Sequence, residues 1–209
     1  MQLRHLVLAA LLASTACAQP QIRPETPKPT LSLPTALSGK AELLGPTDAD
    51  YARAAVGSAV RPAGKGGVSD AIVVRMTQDI AVYRMWNGPA RKDASGNTNR
   101  LGSWWSYEAP RGTVANYRSS YEICLAWNDL RWVATCTLRA GAVVAIGPGQ
   151  SVSAETCGDP TGKEQFPANA RDWQLYIDKP WTRTVELVCP PQSDDYEADP
   201  DNIAATRTK

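Results

Sequence analysis

The stretch LGSWWSYEAP, residues 101–110, sets Trp104 and Trp105 side by side between Ser103 and Ser106, just before a proline. Neighbours in a strand point to opposite faces of the sheet. If this stretch is a strand, one tryptophan fills the core and the other meets solvent, a second layer or a ligand. β-rich runs lie on both sides of it. Upstream are DAIVVRM (70–76) and IAVYRMW (80–86), parted by Thr77, Gln78 and Asp79, which read as consecutive strands. Downstream, RWVATCTLR (131–139) alternates Trp132, Ala134, Cys136 and Leu138 on one face. AVVAIGPG (142–149) reads as a short buried strand ended by Gly-Pro-Gly, and DWQLYI (172–177) and TRTVELVC (182–189) as the last two strands.

Helical signals are fewer. In PTDADYARAAVGSAV (46–60), Thr47 is a cap and Asp48 and Asp50 suit the N-terminal dipole, ahead of a loose apolar stripe. Pro110 opens a second short helix through Thr113 to about Tyr121. EICLAW (122–127) either continues that helix or starts a strand. The sum is a β-rich α+β domain with one or two helices.

The chain opens MQLRHLVLAALLASTACAQP, a short basic start, a compact apolar run and small residues, which is the pattern of a bacterial-type export signal over 1–18. Cleavage after Ala18 and lipidation at Cys17 both fit the pattern. Residues 19–40 are rich in proline and read as a disordered segment, 41–189 as one globular domain, and 190–209 as an acidic disordered tail. The signal holds one of the 22 basic residues, which leaves 21 against 21 acidic ones. Nothing in that balance favours nucleic acid, and a membrane contact would come only through a lipid on Cys17. Cys124, Cys136, Cys157 and Cys189 read as two disulfides of an exported protein in the periplasm, the outer envelope or the medium. Three connectivities exist. Cys124–Cys136 is favoured because it flanks a short excursion, with Cys157–Cys189 closing the C-terminal region.

The single histidine is His5, inside the signal. A Ser-His-Asp triad, a Cys-His pair, an HExxH zinc site and a histidine general base are all excluded from the mature chain. No metal ligand set is expected. Chemistry must come from carboxylates, amides, Arg, Lys, Tyr or Ser.

Three pieces then occur in order: VYRMWNG (82–88) with Tyr83 and Arg84, GSWWSYEAP (102–110), and NYRSSYE (116–122), followed by the late strand with Asp172 and Gln174. This order resembles the ADP-ribosyltransferase-like fold of bacterial toxins over about 71–177. The resemblance implies a split-sheet α+β domain that takes NAD as substrate, with no separate cofactor. It implies that Arg84 forks onto phosphate or ribose oxygens, with Tyr83 beside it. It makes Ser103, Trp104, Trp105 and Ser106 the floor of a nicotinamide pocket. It implies that Gln174, with Asp172 two residues before it, holds the nicotinamide ribose as the ring leaves. Classical protein-modifying members carry Glu at the late position, so Gln174 fits NAD hydrolysis better than protein modification. A protein acceptor and an immunity protein are the partners implied. Gln174→Ala is expected to abolish turnover with little loss of stability.

The alternative is a non-catalytic envelope or secreted protein that binds glycans or inhibits an enzyme through exposed tryptophans. Glu108, Glu122 and Glu164 are carboxylates from which a glycosidase pair could be drawn, though their spacing fixes no separation. IGPGQS (146–151) lacks the lysine of a phosphate-binding loop and reads as a turn.

Overall fold

A computed structural model of the chain describes residues 31–208. The expected export signal with Cys17, and residues 19–30, lie outside the described residues. The rest of the proline-rich segment belongs to the fold. A 3-10 turn at Thr35–Leu37 buries Leu37 in the core, and Leu33 packs beside it.

Two antiparallel sheets make up the domain. The first is ordered β1 (Ala41–Leu44), β2 (Ile72–Met76), β6 (Val143–Gly149), β7 (Asn169–Tyr176) and β4 (Trp104–Trp105). The second places β3 (Ile80–Trp86) beside β5 (Trp132–Leu138), whose other edge takes β8 (Leu187–Val188) and β9 (Tyr196–Glu197). β2 and β3 are consecutive but do not pair, and each goes to a different sheet. One apolar layer joins the sheets. Val74, Ile146, Val144 and Leu175 of the first meet Val82, Cys136, Leu138 and Leu187 of the second. Each fully buried Leu, Ile or Val contributes about 1.5–3 kcal/mol relative to exposure, so this layer is the main source of cohesion.

β4 divides its two tryptophans as strand geometry requires. Trp105, opposite Leu175, enters the shared layer, while Trp104, opposite Tyr176, lies on the other face edge-on to that ring at 4.9 Å. One residue later Ser106 exchanges both backbone hydrogen bonds with Tyr83, each 2.8 Å, and stitches the first sheet to β3 of the second.

The helices are shorter than the sequence suggests. The run at 46–60 becomes a 3-10 turn (Tyr51–Ala54) and one α turn, α1 (Val56–Ala59), broken at Ala55 with φ 49°. Gly57 weakens the helix, and the kink lets Ala54 and Ala59 bury in one cluster with Val73 and Val143. α2 (Val114–Ser120) starts at its Thr113 cap, whose side chain accepts from Asn116 N, rather than at Pro110. EICLAW is neither helix nor strand. The third helix is the single turn α3 (Ala154–Cys157).

The structure corrects two further expectations. The disulfides are Cys124–Cys157 and Cys136–Cys189, with Cα separations of 5.2 and 4.3 Å. Strand register decides this, because Thr137 and Leu138 pair with Val188 and Leu187 and so bring Cys189 to Cys136. The C-terminal segment from 190 is also ordered rather than a disordered tail. β9 extends the second sheet, Ile203 is fully buried, and Asp195 pairs with Arg100 at 2.6 and 2.8 Å. Charge pairing removes the repulsion that made this segment look disordered.

Two disulfides fit an oxidising environment. Among the described residues no helix is long and apolar enough to cross a membrane.

Candidate functional site

Gln174 sits on β7, between Trp173 and Leu175. Trp173 packs on the shared layer, so alternation turns Gln174 to the opposite face. There it is only 5% exposed and borders a cavity of about 130 Å³. Arg84 from β3, Trp104 and Trp105 from β4, Tyr117 from α2, and the segment after α2 form most of the remaining wall. The cavity lies where the Tyr83–Ser106 stitch brings the two sheets together.

Arg84 is held by backbone. Its Nε donates to Asn99 O at 2.9 Å and its Nη1 to Trp104 O at 2.7 Å, which leaves Nη2 without an acceptor among the described residues. Gly102 makes this possible, since a Cβ there would overlap the guanidinium. Among the described residues no carboxylate pairs with Arg84. Burial lowers its pKa to about 10, and the same burial pushes the neighbouring Tyr117 well above the ordinary tyrosine value. Tyr121 stacks on Tyr117 at 4.5 Å, and burial raises its pKa to about 12.

The main surprise is Glu122. It follows α2 with φ 48°, in the left-handed region, and is 1% exposed. Its carboxyl lies against Gly149 of β6, where a Cβ would collide with it. Gln174 Nε2 donates to its Oε2 at 3.0 Å, and its Oε1 is buried without a hydrogen-bond partner. Burial raises its pKa to about 9, partly offset by Gln174 and the Asn169 backbone and increased again by the Asp172 charge. Glu122 is therefore a neutral carboxylic acid at pH 7.

The segment from Tyr121 to Asn128 closes the cavity. Trp127, 43% exposed, lies over Gly66, about 3.1 Å from where a Cβ would be. Arg118 donates to Ile123 O at 2.9 Å, Asn128 Nδ2 donates to Met85 O at 2.8 Å, and Leu125 N donates to Glu164. The Cys124–Cys157 bond fixes the same segment to α3.

Of the residues singled out from sequence, Arg84, Trp104, Trp105 and Gln174 border this cavity. Tyr83, Ser103, Ser106 and Asp172 do not. Tyr83 alternates away from Arg84 along β3. The Ser106 hydroxyl is occupied, donating to Glu108 O at 2.7 Å and lying 3.0 Å from Tyr121 Oη. Ser103 joins the frame through its carbonyl, which accepts from Ile177 N. Asp172 accepts from Asn169 Nδ2 at 2.8 Å and acts on the site through its charge on Glu122. Glu108 and Glu164 also lie outside the wall, so no carboxylate pair for glycoside hydrolysis is assembled here. The GPG run is the end of β6, with a bulge at Pro148–Gly149, rather than a turn. Its glycines leave room, Gly147 for the Asp70 carbonyl and Gly149 for Glu122.

No group of His, Cys, Asp and Glu among the described residues is placed to hold a metal. No protein-family model, curated protein or solved structure matches the chain. Sequence reasoning placed Tyr117, Tyr121 and Glu122 within NYRSSYE without giving them a role in the site, saw Glu122 otherwise only as one carboxylate among three, and counted Trp127 only among the tryptophans open to a glycan. A buried acid leaves no local signal, and the one hint was the glycine at 149.

Proposed function

We propose that this chain is an exported, ADP-ribosyltransferase-like enzyme that cleaves the nicotinamide–ribose bond of NAD. The observation that carries this is the convergence of Arg84, Trp104, Trp105 and Gln174, from three strands of two sheets, on one small cavity. At about 130 Å³ it is close to the roughly 150 Å³ that holds a benzene ring, so it suits a single aromatic ring such as nicotinamide. The rest of the dinucleotide would lie outside it.

The chemistry asks little of the protein. The C1′–N bond breaks and its electron pair goes to the pyridinium nitrogen, which becomes neutral, so no acid is needed for departure. The ribose becomes oxocarbenium-like and is captured by water, or by an acceptor nucleophile, with loss of one proton. Gln174 would accept from a ribose hydroxyl, a hydrogen bond that strengthens as positive charge develops on the sugar, and Arg84 Nη2 would donate to a phosphate or ribose oxygen and chiefly hold the bound dinucleotide. Tryptophan faces would hold the ring in place and keep water from it. The absence of histidine from residues 6–209 is no obstacle. A toxin of this kind would meet an acceptor protein or an immunity protein as its partner.

The test is nicotinamide release from NAD by the oxidised domain, beside Gln174→Ala, with a protein lysate as acceptor in a parallel arm. Gln174-dependent release supports the proposal, and label on the lysate assigns transfer rather than hydrolysis. No release in either arm overturns it and favours the binding-protein alternative. That second reading has its own observation: Trp181 is 59% exposed beside a cleft of about 700 Å³ lined by Asn97, Asn99 and Gln192.

A further inference from the structure

We infer that Glu122 is a positioning residue that fixes the Gln174 carboxamide with its nitrogen inward, so that the cavity is offered the amide oxygen and selects a ligand group that donates a hydrogen bond. The inference extends the NAD reading of the site, naming the group on the substrate that Gln174 can hold.

Three acceptors surround Gln174 Nε2: Glu122 Oε2 at 3.0 Å, Tyr121 O at 3.3 Å and Gly67 O at 3.4 Å. The nitrogen has only two hydrogens to give, so neither is left for a ligand. An amide turned the other way would set its oxygen against two carbonyl oxygens, which fixes the orientation. Among the described residues, none donates a hydrogen bond to Gln174 Oε1. It is not among the sealed, partnerless atoms, so it is the free edge of a side chain that borders the cavity. The nearest of the three acceptors belongs to Glu122, whose only other polar contact is with the Asn169 backbone. It adopts a left-handed backbone, takes space that only a glycine at 149 leaves open, and keeps one oxygen unpartnered. A group that costs this much and touches solvent so little earns its place through Gln174. A ribose hydroxyl meets the requirement for a donor, and a group with only acceptors does not.

The test has a structural arm and a kinetic arm. In ¹⁵N-labelled protein, the Gln174 side-chain signals are identified by their loss in Gln174→Leu. Both Nε2 protons are expected to exchange with solvent at least tenfold more slowly than those of an exposed glutamine. The protection is expected to be lost in Glu122→Leu and kept in Glu122→Gln, whose side chain can still offer an oxygen. In the kinetic arm, Glu122→Leu is expected to lower kcat for nicotinamide release at least tenfold while KM for NAD stays within about twofold, and Glu122→Gln to restore most of the rate. Rapid exchange of both protons in the wild-type protein overturns the inference without any variant. Equal protection in wild type and Glu122→Leu overturns it as well. If NAD is not cleaved at all, the proposed function fails, and the exchange arm still decides whether Glu122 positions Gln174.

Discussion

Replacing Glu122 by glutamine should change how stability depends on pH, by an amount the site itself sets. In the fold the carboxyl holds its proton up to about pH 9, against an ordinary value of 4.5. In the unfolded chain it ionises near its ordinary value. Between those two points the folded state binds one proton more than the unfolded state. Its contribution is therefore complete below the unfolded pKa, falls as pH rises, and is gone once pH passes the folded pKa. The slope is about 1.4 kcal/mol per pH unit, so the loss between pH 5 and pH 8 is about 4 kcal/mol. Glutamine does not titrate, keeps an acceptor for Gln174 Nε2 and has nearly the same volume. The stability of Glu122→Gln relative to wild type should rise by about 4 kcal/mol from pH 5 to pH 8, since the other titrating groups are common to both chains. Urea unfolding of the oxidised proteins at pH 5, 6.5 and 8 measures this. Two curves that stay parallel within about 1 kcal/mol would refute the claim that Glu122 is buried as the neutral acid.

Four other outcomes are expected. Gln174→Ala should abolish NAD turnover and also cost about 1–3 kcal/mol, more than its sequence position implied, because Glu122 and two carbonyls lose their donor; turnover and unfolding measured together check both. Arg84→Met should weaken NAD binding more than it slows turnover, measured as a rise in KM exceeding the fall in kcat. Replacing Cys124 and Cys157 by serine opens a crosslink of sequence separation 33 and should cost about 3–4 kcal/mol by the chain-entropy relation, with Trp127 more readily quenched by iodide. Gly149→Ala should destabilise the fold by about 1–3 kcal/mol, as expected for overpacking, and Glu122→Ala in the same chain should recover part of that loss in the same unfolding assay.

Most strand positions along the chain were legible because they rest on local alternation, whereas their order in the two sheets was not. The division of Trp104 and Trp105 between two faces follows from the period of a strand alone, and so does the turn of Gln174 away from Trp173, but that alternation alone would leave Gln174 facing solvent, and its burial comes from Tyr121 and Glu122 packed over that face. Partners distant in sequence were not legible. Cys136 meets Cys189 only because β8 runs along β5, and nothing near Cys136 announces that register. The C-terminal segment looked disordered because its carboxylates are visible in the sequence while Arg100, 95 residues from Asp195, is not visibly their partner. The helix at 46–60 failed for a tertiary reason, since burying both Ala54 and Ala59 against β2 and β6 takes a kink at Ala55. Glu122 is the clearest case. The environment that makes it neutral comes from Gly149, Gln174 and the turn after α2, three places the chain brings together only by folding.

Gly149 also carries a consequence for how such a site could change over evolutionary time. Its φ does not lie in the left-handed region, so the backbone does not demand glycine there, and only the space taken by the Glu122 carboxyl does. Positions 122 and 149 are therefore expected to vary as a pair. A chain that keeps the acid must keep the glycine, and a chain that gains a side chain at 149 must give up the acid first. A glycine that follows proline at the end of a buried strand, matched with a glutamate just past a short helix, becomes a two-point signature. It would track this site through sequences too divergent for their strands to be aligned.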